Sequence, residues 1–308
     1  MKNLLLCLLC ITLIYSCSNH NPSKKNIPKE LTFAVIPSDD YAGTIRHAED
    51  LCKYLEKKLN MKIILYKATD YTAVIEAMKS HKVQIAHFGP FSYVLANRKA
   101  GAESMVCVSE KAGVFHSYKS LILANSKSKI KTLDDLKSNS NNLTLSFVDP
   151  ASTSGHLVPR EFLTSIGLDP ESKFKQMVFS TSHGASILTL ISGKVDIAAA
   201  GDVYLQRLIV NGKVKQSDFN ILWTSAPIPP DPICIQKDLD TGFKQKVKEA
   251  FLALPTEAPE IWESYMRFEF TGDPNADTYT YMEAHDSIYN SVRKIFDAID
   301  YENLIKRK

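Results

Sequence analysis

At 308 residues, with 44% apolar and 23% charged side chains, the chain has the composition of a folded protein of about two compact units, which excludes fibrous and disordered classes. A formal charge of +3 and the lack of any recurring basic run argue against a nucleic-acid surface, so a charged partner has to be met at a local site.

The chain opens MKNLLLCLLCITLIYSCSNHNPSKKN: one lysine, an unbroken apolar run from Leu4 to Tyr15, then small and polar residues. That pattern predicts a secretory signal, because the run is shorter than a membrane span needs. Its end, LIYSC, resembles a bacterial lipobox, which implies a signal peptide over residues 1–16, lipid on Cys17 and a linker over 17–26. A plain signal cleaved nearby is the alternative, since Tyr15 is bulkier than the small residue usual at that place. A lipid with several acyl chains would hold the protein on a membrane, and everything after Cys17 is expected outside the cytoplasm. Cys52, Cys107 and Cys234 then remain, an odd number without metal-ligand spacing. They read as small buried hydrophobes, or as one disulfide and one thiol.

From Leu31 onward short β-like runs alternate with amphipathic helical ones, which predicts an α/β architecture with largely parallel sheets and no internal repeat. LTFAVIP (Leu31–Pro37) reads as a strand, and residues 43–60 as a helix with Ile45, Ala48, Leu51, Cys52, Leu55 and Leu59 on one face. A strand at MKIILYKA, a helix capped by Asp70, a strand ending at Gly89 and a helix with Pro90 in its first position follow. YKSLILANS (Tyr118–Ser126) begins a second series, in which Thr132 and Asp135 form a predicted capping box. Strands NLTLSFV, FKQMVF and VDIAAA alternate with helices near Ser154–Ile166, His183–Ser192 and Asp202–Val210. FNILWTSAPIPPDPICIQKDL gives two strand-like runs broken by PIPPDP, and the chain from Thr241 reads as mostly helical. Two α/β lobes result, residues 27–118 with 225–308 and residues 119–224. The stretches FHSYKSLILA and ILWTSAPIPPDPICIQ are the expected crossings, a two-segment hinge.

In an open α/β sheet, ligands sit outside the carboxyl ends of the strands. The polar clusters fall at such ends: SDDY (Ser38–Tyr41), FGPFSY (Phe88–Tyr93), DPASTSGH (Asp149–His156), STSHGAS (Ser180–Ser186) and AAGD (Ala199–Asp202). Two lobes that each present such an edge make a cleft. A helix starting near Ser154 leaves its first N–H groups unpaired and partly positive, and Ser152, Thr153 and Ser154 add hydroxyls. Gly155 permits close backbone approach, and His156 adds a donor that adapts near neutral pH. The set suits a tetrahedral oxyanion, though the same residues would also serve as a plain N-cap. Pro159 sits where its missing N–H interrupts a helix begun at Ser154, which calls for a kink or a short first turn. Neither a G-x-S-x-G elbow nor a lysine-bearing phosphate loop accompanies these serines, so catalysis and nucleotide binding are not indicated.

AHFGPFSYVLANRKAGAESM together with FVDPASTSGHLVPREFL resembles the phosphate/phosphite/phosphonate-binding proteins of bacterial ABC importers, the PhnD-type substrate-binding proteins. VIPSDDY, SHGASILTLISGKVDIAAAGD and PIPPDPICIQKDL fall in the expected order. The resemblance implies a two-lobed type II periplasmic-binding-protein fold with a two-segment hinge, closing on a phosphonate, phosphite or phosphate without catalysis or cofactor. It implies Ser152, Thr153, Ser154 and His156 as the oxyanion cradle, with Tyr93 reaching the same group from the opposite lobe. Tyr41 would line the cleft, Asp202 would stand at its far side, and His183 would be among the ligand-binding residues. The implied partners of a monomer are a small phosphorus oxyanion, an ABC permease and, through the lipid, the membrane; no nucleic acid or metal is implied. Family members that take aminoalkylphosphonates carry an acid directly after the histidine of the SHxAS stretch, where this chain has Gly184. 2-Aminoethylphosphonate is therefore not the expected preference, because its buried ammonium would lack a partner. Another small organic anion on the same fold, a lipoprotein sensor and a hydrolase are the alternatives.

Overall fold

The computed structural model describes residues 26–37, 40–111 and 113–299, and of Tyr41 the backbone alone. The expected signal peptide, Cys17 and the linker to residue 25 lie outside the described residues. Strands β1 (Glu30–Val35), β2 (Lys62–Lys67), β3 (Ile85–His87), β4 (Ala102–Lys111) and β5 (Val114–Phe115) lead into β6 (Ser120–Asn125), β7 (Thr144–Phe147), β8 (Gln176–Phe179), β9 (Ile197–Gly201) and β10 (Phe219–Thr224), followed by β11 (Pro232–Gln236) and β12 (Thr280–Glu283). They form two sheets, one ordered β12-β4-β11-β3-β1-β2 with β5 on β4, the other β10-β6-β9-β7-β8.

Helices α1 (Tyr41–Leu59), α2 (Tyr71–Lys79) and α3 (Pro90–Ala100) belong with the first sheet. With the second go α4 (Leu133–Asn139), α5 (Val158–Ser165), α6 (Pro170–Lys173), α7 (His183–Ile191) and α8 (Asp202–Val210). The chain then returns to the first sheet for α9 (Thr241–Glu257), α10 (Pro259–Glu269) and α11 (Asn290–Ala298). The predicted caps form as read: Asp70 accepts from the Ala73 N–H at 2.7 Å, and Thr132 with Asp135 closes a capping box.

Each sheet is covered on both faces, which explains why its central strands are almost continuously apolar. Leu51 and Leu55 of α1, Val247 and Phe251 of α9 and Trp262 of α10 pack on one face of the first sheet, while Val74, Met78, Phe91 and Val292 cover the other. The second sheet lies between Leu136 and Leu163 on one side and Ile187, Leu190, Leu205 and Leu208 on the other. A fully buried side chain such as Phe251 contributes about 1.5–3 kcal/mol relative to exposure.

The sheets are mixed, whereas the sequence led us to expect largely parallel ones. Only β2-β1-β3 and β8-β7-β9 run parallel; β11 and β12 are antiparallel to β4, and β6 is antiparallel to both β9 and β10. The reason is connectivity. The strands flanking the lobe crossings re-enter a sheet without a helical crossover, and such a return runs antiparallel. β4, β5 and β12 were not legible as strands, because AESMVCVSEK mixes charged and apolar residues and the other two are short.

Two chain segments cross between the sheets side by side. Tyr118 and Ile228 form an antiparallel bridge, with Ile228 N–H donating to the Tyr118 carbonyl at 2.7 Å. Ser225 N–H donates to the Ser120 carbonyl at 2.9 Å, and its Oγ accepts from the Ser120 N–H at 2.9 Å. Cys52, Cys107 and Cys234 are buried free thiols in the sheet-one lobe.

Candidate ligand-binding cleft

The stretch that carries the hydroxyl cluster resolves the Pro159 conflict in a specific way. Residues Thr153–Leu157 form a π-turn, with Ser152 as N-cap accepting from the Gly155 N–H at 3.1 Å, and Pro159 falls at the second position of α5. In a regular helix the Gly155 carbonyl would be left without a partner by the missing proline N–H. Instead it accepts from the Val148 N–H at 3.0 Å. This brings the turn so close to the end of β7 that a Cβ at residue 155 would lie 2.3 Å from Val148 Cγ2. Gly155 thus serves packing onto Val148 rather than the approach to a ligand that the sequence suggested.

The three hydroxyls point in different directions. Thr153 Oγ1 reaches across to the other lobe and accepts from the Phe91 N–H, in the first turn of α3, at 2.8 Å. Ser154 Oγ faces Gly201, where a Cβ would come within 3.0 Å, and its carbonyl accepts from the hinge residue Ser120 Oγ at 2.6 Å. The ends of β7 and β9 and the start of α3 therefore meet at one place, next to the hinge.

His156 does not join them. Its Nε2 accepts from Arg160 Nε at 2.9 Å, so its Nδ1 carries the proton and donates to the Pro150 carbonyl at 2.8 Å. Phe147 and Phe179 meet the ring edge-on, and Arg160 is paired with Glu171. Both ring nitrogens are spent inside the lobe. Tyr93 is also turned away: it is fully buried, donates to Asp286 and meets the ring of Tyr289. Phe91 meets the cleft through its backbone N–H alone, and its side chain, like that of Tyr93, packs in the core of the first lobe. Tyr41 begins α1, and its side chain lies outside the described residues.

His183 accepts from the Gly201 N–H at 3.0 Å and stacks on Tyr204 with ring centroids 4.0 Å apart. Burial, with the nearby Arg207 charge, pushes its pKa down to about 3, so the ring is neutral. Asp202 Oδ1 accepts from the N–H groups of Lys119 at 3.0 Å and Val203 at 2.9 Å, tying α8 to the hinge strand. The same residue lines an outer groove with Gln206, Phe270 and Asp273.

Between the lobes lie two adjoining cavities that share His87, Tyr204, Asp231, Tyr265 and Glu269 as walls. One, of about 50 Å³, extends to Tyr118 and His116; the other, of about 30 Å³, extends to Val35, Pro37 and Thr44. Tyr265 lies 3.1 Å from His87 Nδ1, and burial holds His87 down at about 4. Across the cleft from the hinge, Arg207 of α8 approaches Glu269 of α10 at 3.5 Å, and its Nη2 donates to the Glu269 carbonyl at 2.9 Å. With Thr153 and Phe91 joined on one side and Arg207 and Glu269 on the other, the lobes are closed on each other.

Sequence reasoning missed His87, Tyr118, Tyr204, Asp231, Tyr265 and Glu269. His87 borders FGPFSY, Tyr118 lies inside the first crossing and Asp231 lies inside PIPPDP. Tyr265 and Glu269 come from an outer helix and gave no signal. Among the described residues no cluster suited to a metal ion occurs, and no helix is long and apolar enough to cross a membrane.

Comparison with known proteins adds a family. The profile described as "ABC transporter, phosphonate, periplasmic substrate-binding protein" matches residues 33–281. The phosphonates-binding periplasmic protein of Escherichia coli K12 is 30% identical over 224 residues, 73% of this chain and 66% of that protein, just under two thirds of the relative's length. The phosphate-import protein PhnD of Mycolicibacterium smegmatis is 28% identical over 256 residues, 79% of this chain and 78% of that one. Among solved structures, the binding protein component of a phosphonate ABC transporter from Pseudomonas aeruginosa superposes with a TM-score of 0.76 at 24% identity, over 87% of this chain and 86% of its own. PhnD1 from Prochlorococcus marinus, in complex with methylphosphonate, gives 0.74 at 22% identity, over 89% of this chain and 100% of its own. These two share the two-lobed fold.

Proposed function

The chain belongs to the periplasmic substrate-binding proteins of phosphonate ABC transporters, and from that premise we propose that it captures a small phosphorus oxyanion between its lobes and presents the closed form to a permease. The observation that carries this reading is the meeting of the π-turn with the first turn of α3 through Thr153 and Phe91. Helix starts are partly positive and offer backbone N–H groups, so their convergence beside a small closed cavity suits a compact anion. Residues 27–118 with 225–308 and residues 119–224 act as the two lobes, hinged at the Tyr118–Ile228 bridge.

Thr153 and Ser154 present the cradle, with the N–H groups of the π-turn, and Ser152 holds its shape. Asp202, His183 and Tyr41 complete the surroundings. His156 and Tyr93 support the two walls from behind. The work is binding without chemistry: ligand shifts the population to the closed form because only that form makes contacts from both lobes. The protein acts outside the cytoplasm, held to a bacterial membrane through lipid on Cys17, as a monomer that meets its permease.

The test is a thermal-shift panel on the purified protein with phosphite, phosphate, methylphosphonate, 2-aminoethylphosphonate and sulfate. Ligand at ~100 times its Kd stabilises the fold by about 2.7 kcal/mol, a readily measured shift. Stabilisation by phosphorus oxyanions supports the reading, and a flat response to all of them overturns the ligand class. A preference for 2-aminoethylphosphonate would refute the argument from Gly184.

A further inference from the structure

One edge of the second sheet carries charge that the binding reading does not use. Strand register sets Phe219 opposite Asn125, Ile197 opposite both Ala124 and Leu145, and Gln176 opposite Thr144. The end of β6 and the starts of β7, β8, β9 and β10 therefore share that edge. It lies away from the cleft, because the π-turn and Gly201 stand at the opposite ends of β7 and β9. The loops that meet there carry Lys127 and Lys129 after β6, Lys175 before β8, Lys194 before β9, and Lys213 and Lys215 before β10, all six exposed. Two backbone bonds hold these loops together: Ser126 N–H donates to the Asp218 carbonyl and Lys175 N–H to the Leu143 carbonyl, both at 3.0 Å.

The charge is not neutralised where it stands. Residues 119–224 carry a formal +3, against −3 for residues 27–118 with 225–308. Among the described residues every ion-paired lysine, such as Lys58 with Glu257 or Lys244 with Glu103, lies outside residues 119–224. Two carboxylates of the lysine edge serve the backbone instead: Asp196 accepts from the Thr144 N–H and Asp218 from the Lys215 N–H, each at 2.8 Å. A face that is merely solvated intersperses both signs, as the first lobe does with its paired lysines.

We propose that this lysine edge docks on the anionic phospholipid headgroups of the membrane beside the permease. Lysine ammoniums are point charges on flexible stems, and spread over four loops they suit a broad array of anions better than one shaped partner. A bilayer with anionic lipids is such an array, and each lysine near its surface adds to the attraction. A permease that recognises the closed form has to touch both lobes, so the line joining the lobes lies along the membrane. The lysine edge, at one end of that line, then overhangs lipid. The proposal takes from the preceding reading only that the protein works at a membrane surface outside the cytoplasm; it does not depend on which anion the cleft holds.

The experiment is vesicle cosedimentation of the chain from residue 18, which keeps both lobes entire and carries no lipid of its own. Vesicles of phosphatidylcholine alone are compared with vesicles holding ~30 mol % phosphatidylglycerol, at an ionic strength of about 0.01 M and then at about 1 M. The wild type binds the anionic vesicles at low salt, leaves the neutral ones, and is released at high salt. A variant with Lys127→Gln, Lys129→Gln, Lys194→Gln and Lys213→Gln binds at least ~10-fold more weakly. A control with Lys57→Gln, Lys82→Gln, Lys99→Gln and Lys294→Gln removes the same charge from exposed positions of the first lobe and stays within about twofold of wild type.

A wild type that ignores anionic vesicles, or binds neutral ones equally, overturns the proposal, and that measurement needs no variant. Equal losses in the two variants would assign the binding to overall charge and overturn it as well. Binding to soluble polyglutamate without binding to anionic vesicles would give the edge to an acidic macromolecule instead of lipid. A flat response in the thermal-shift panel leaves the vesicle result standing, so the ligand reading and this one fail separately.

Discussion

Replacing Thr153 with valine keeps the side-chain shape and removes Oγ1. In the closed form the Phe91 N–H then loses the acceptor that lies 2.8 Å away. Removing the acceptor of a buried donor costs about 1–3 kcal/mol. With the lobes apart the same N–H is free to bond water, so the cost falls on closure and not on folding. Ligand binds by favouring the closed form, and the loss is therefore subtracted from binding, about 5- to 150-fold in affinity. Ser152→Ala provides the contrast, because the Ser152 hydroxyl caps the π-turn within its own lobe. That change removes about 1 kcal/mol of lobe stability whether or not the cleft is closed. The assay is titration with the ligand found by the thermal panel, alongside urea unfolding of ligand-free protein. Thr153→Val is expected to lose affinity with nearly unchanged unfolding, and Ser152→Ala to unfold earlier. Affinity of Thr153→Val within twofold of wild type would refute the cross-lobe argument.

Gly155→Ala forces a methyl to within 2.3 Å of Val148 Cγ2 and is expected to destabilise by about 1–3 kcal/mol, measured by urea unfolding; adding Val148→Ala should restore part of the loss, and failure to do so would remove Val148 as the cause. Glu269→Gln leaves the Arg207 guanidinium, 2% exposed, without its counter-charge. Breaking such a buried pair costs about 3–5 kcal/mol, and because the pair spans the lobes we expect an open form with a larger radius of gyration by small-angle scattering; an unchanged radius would show that the pair does not hold the lobes. The pH response follows from His183, held at about 3, and His87, held at about 4. Both are neutral when folded and bind protons below about 6.5 when unfolded, so stability is lost as pH falls below that value, by up to about 1.4 kcal/mol per pH unit for each ring. His183→Gln, which keeps an acceptor for the Gly201 N–H, should make urea unfolding less pH-dependent between pH 6.5 and 5, and an unchanged slope would contradict the burial argument.

The parts of the fold legible in the sequence are those set by local rules. Periodicity found α1, Pro90 in a first helical position marked α3, and side-chain chemistry found the caps at Asp70 and Thr132. Even the conflict at Pro159 was readable, although its solution was not: the π-turn depends on the Val148 N–H being free at the end of β7, a fact of sheet geometry. The site was less legible because its members are chosen by long-range placement. Asp231 looked like punctuation among prolines, and Glu269 lies 62 residues from Arg207 on a helix whose apolar face was the visible signal. Tyr93 was chosen for its chemistry within a family motif, but α3 directs it inward, where its hydroxyl donates a hydrogen bond to Asp286.

The position of β11 has a consequence for how the chain acquires its structure. This strand, residues 232–236, sits between β4 and β3 in the interior of a sheet otherwise begun by the first 115 residues. The second sheet, by contrast, is complete within residues 120–224. A chain emerging from a ribosome or a translocation channel can therefore finish its middle lobe while the opening one still has a gap. Until Gln236 arrives, β3 and β4 expose unpaired edges to whatever is nearby. The protein must be received almost entire before its first half can settle, which makes the interval of synthesis between residues 115 and 236 the period in which protection from aggregation matters most.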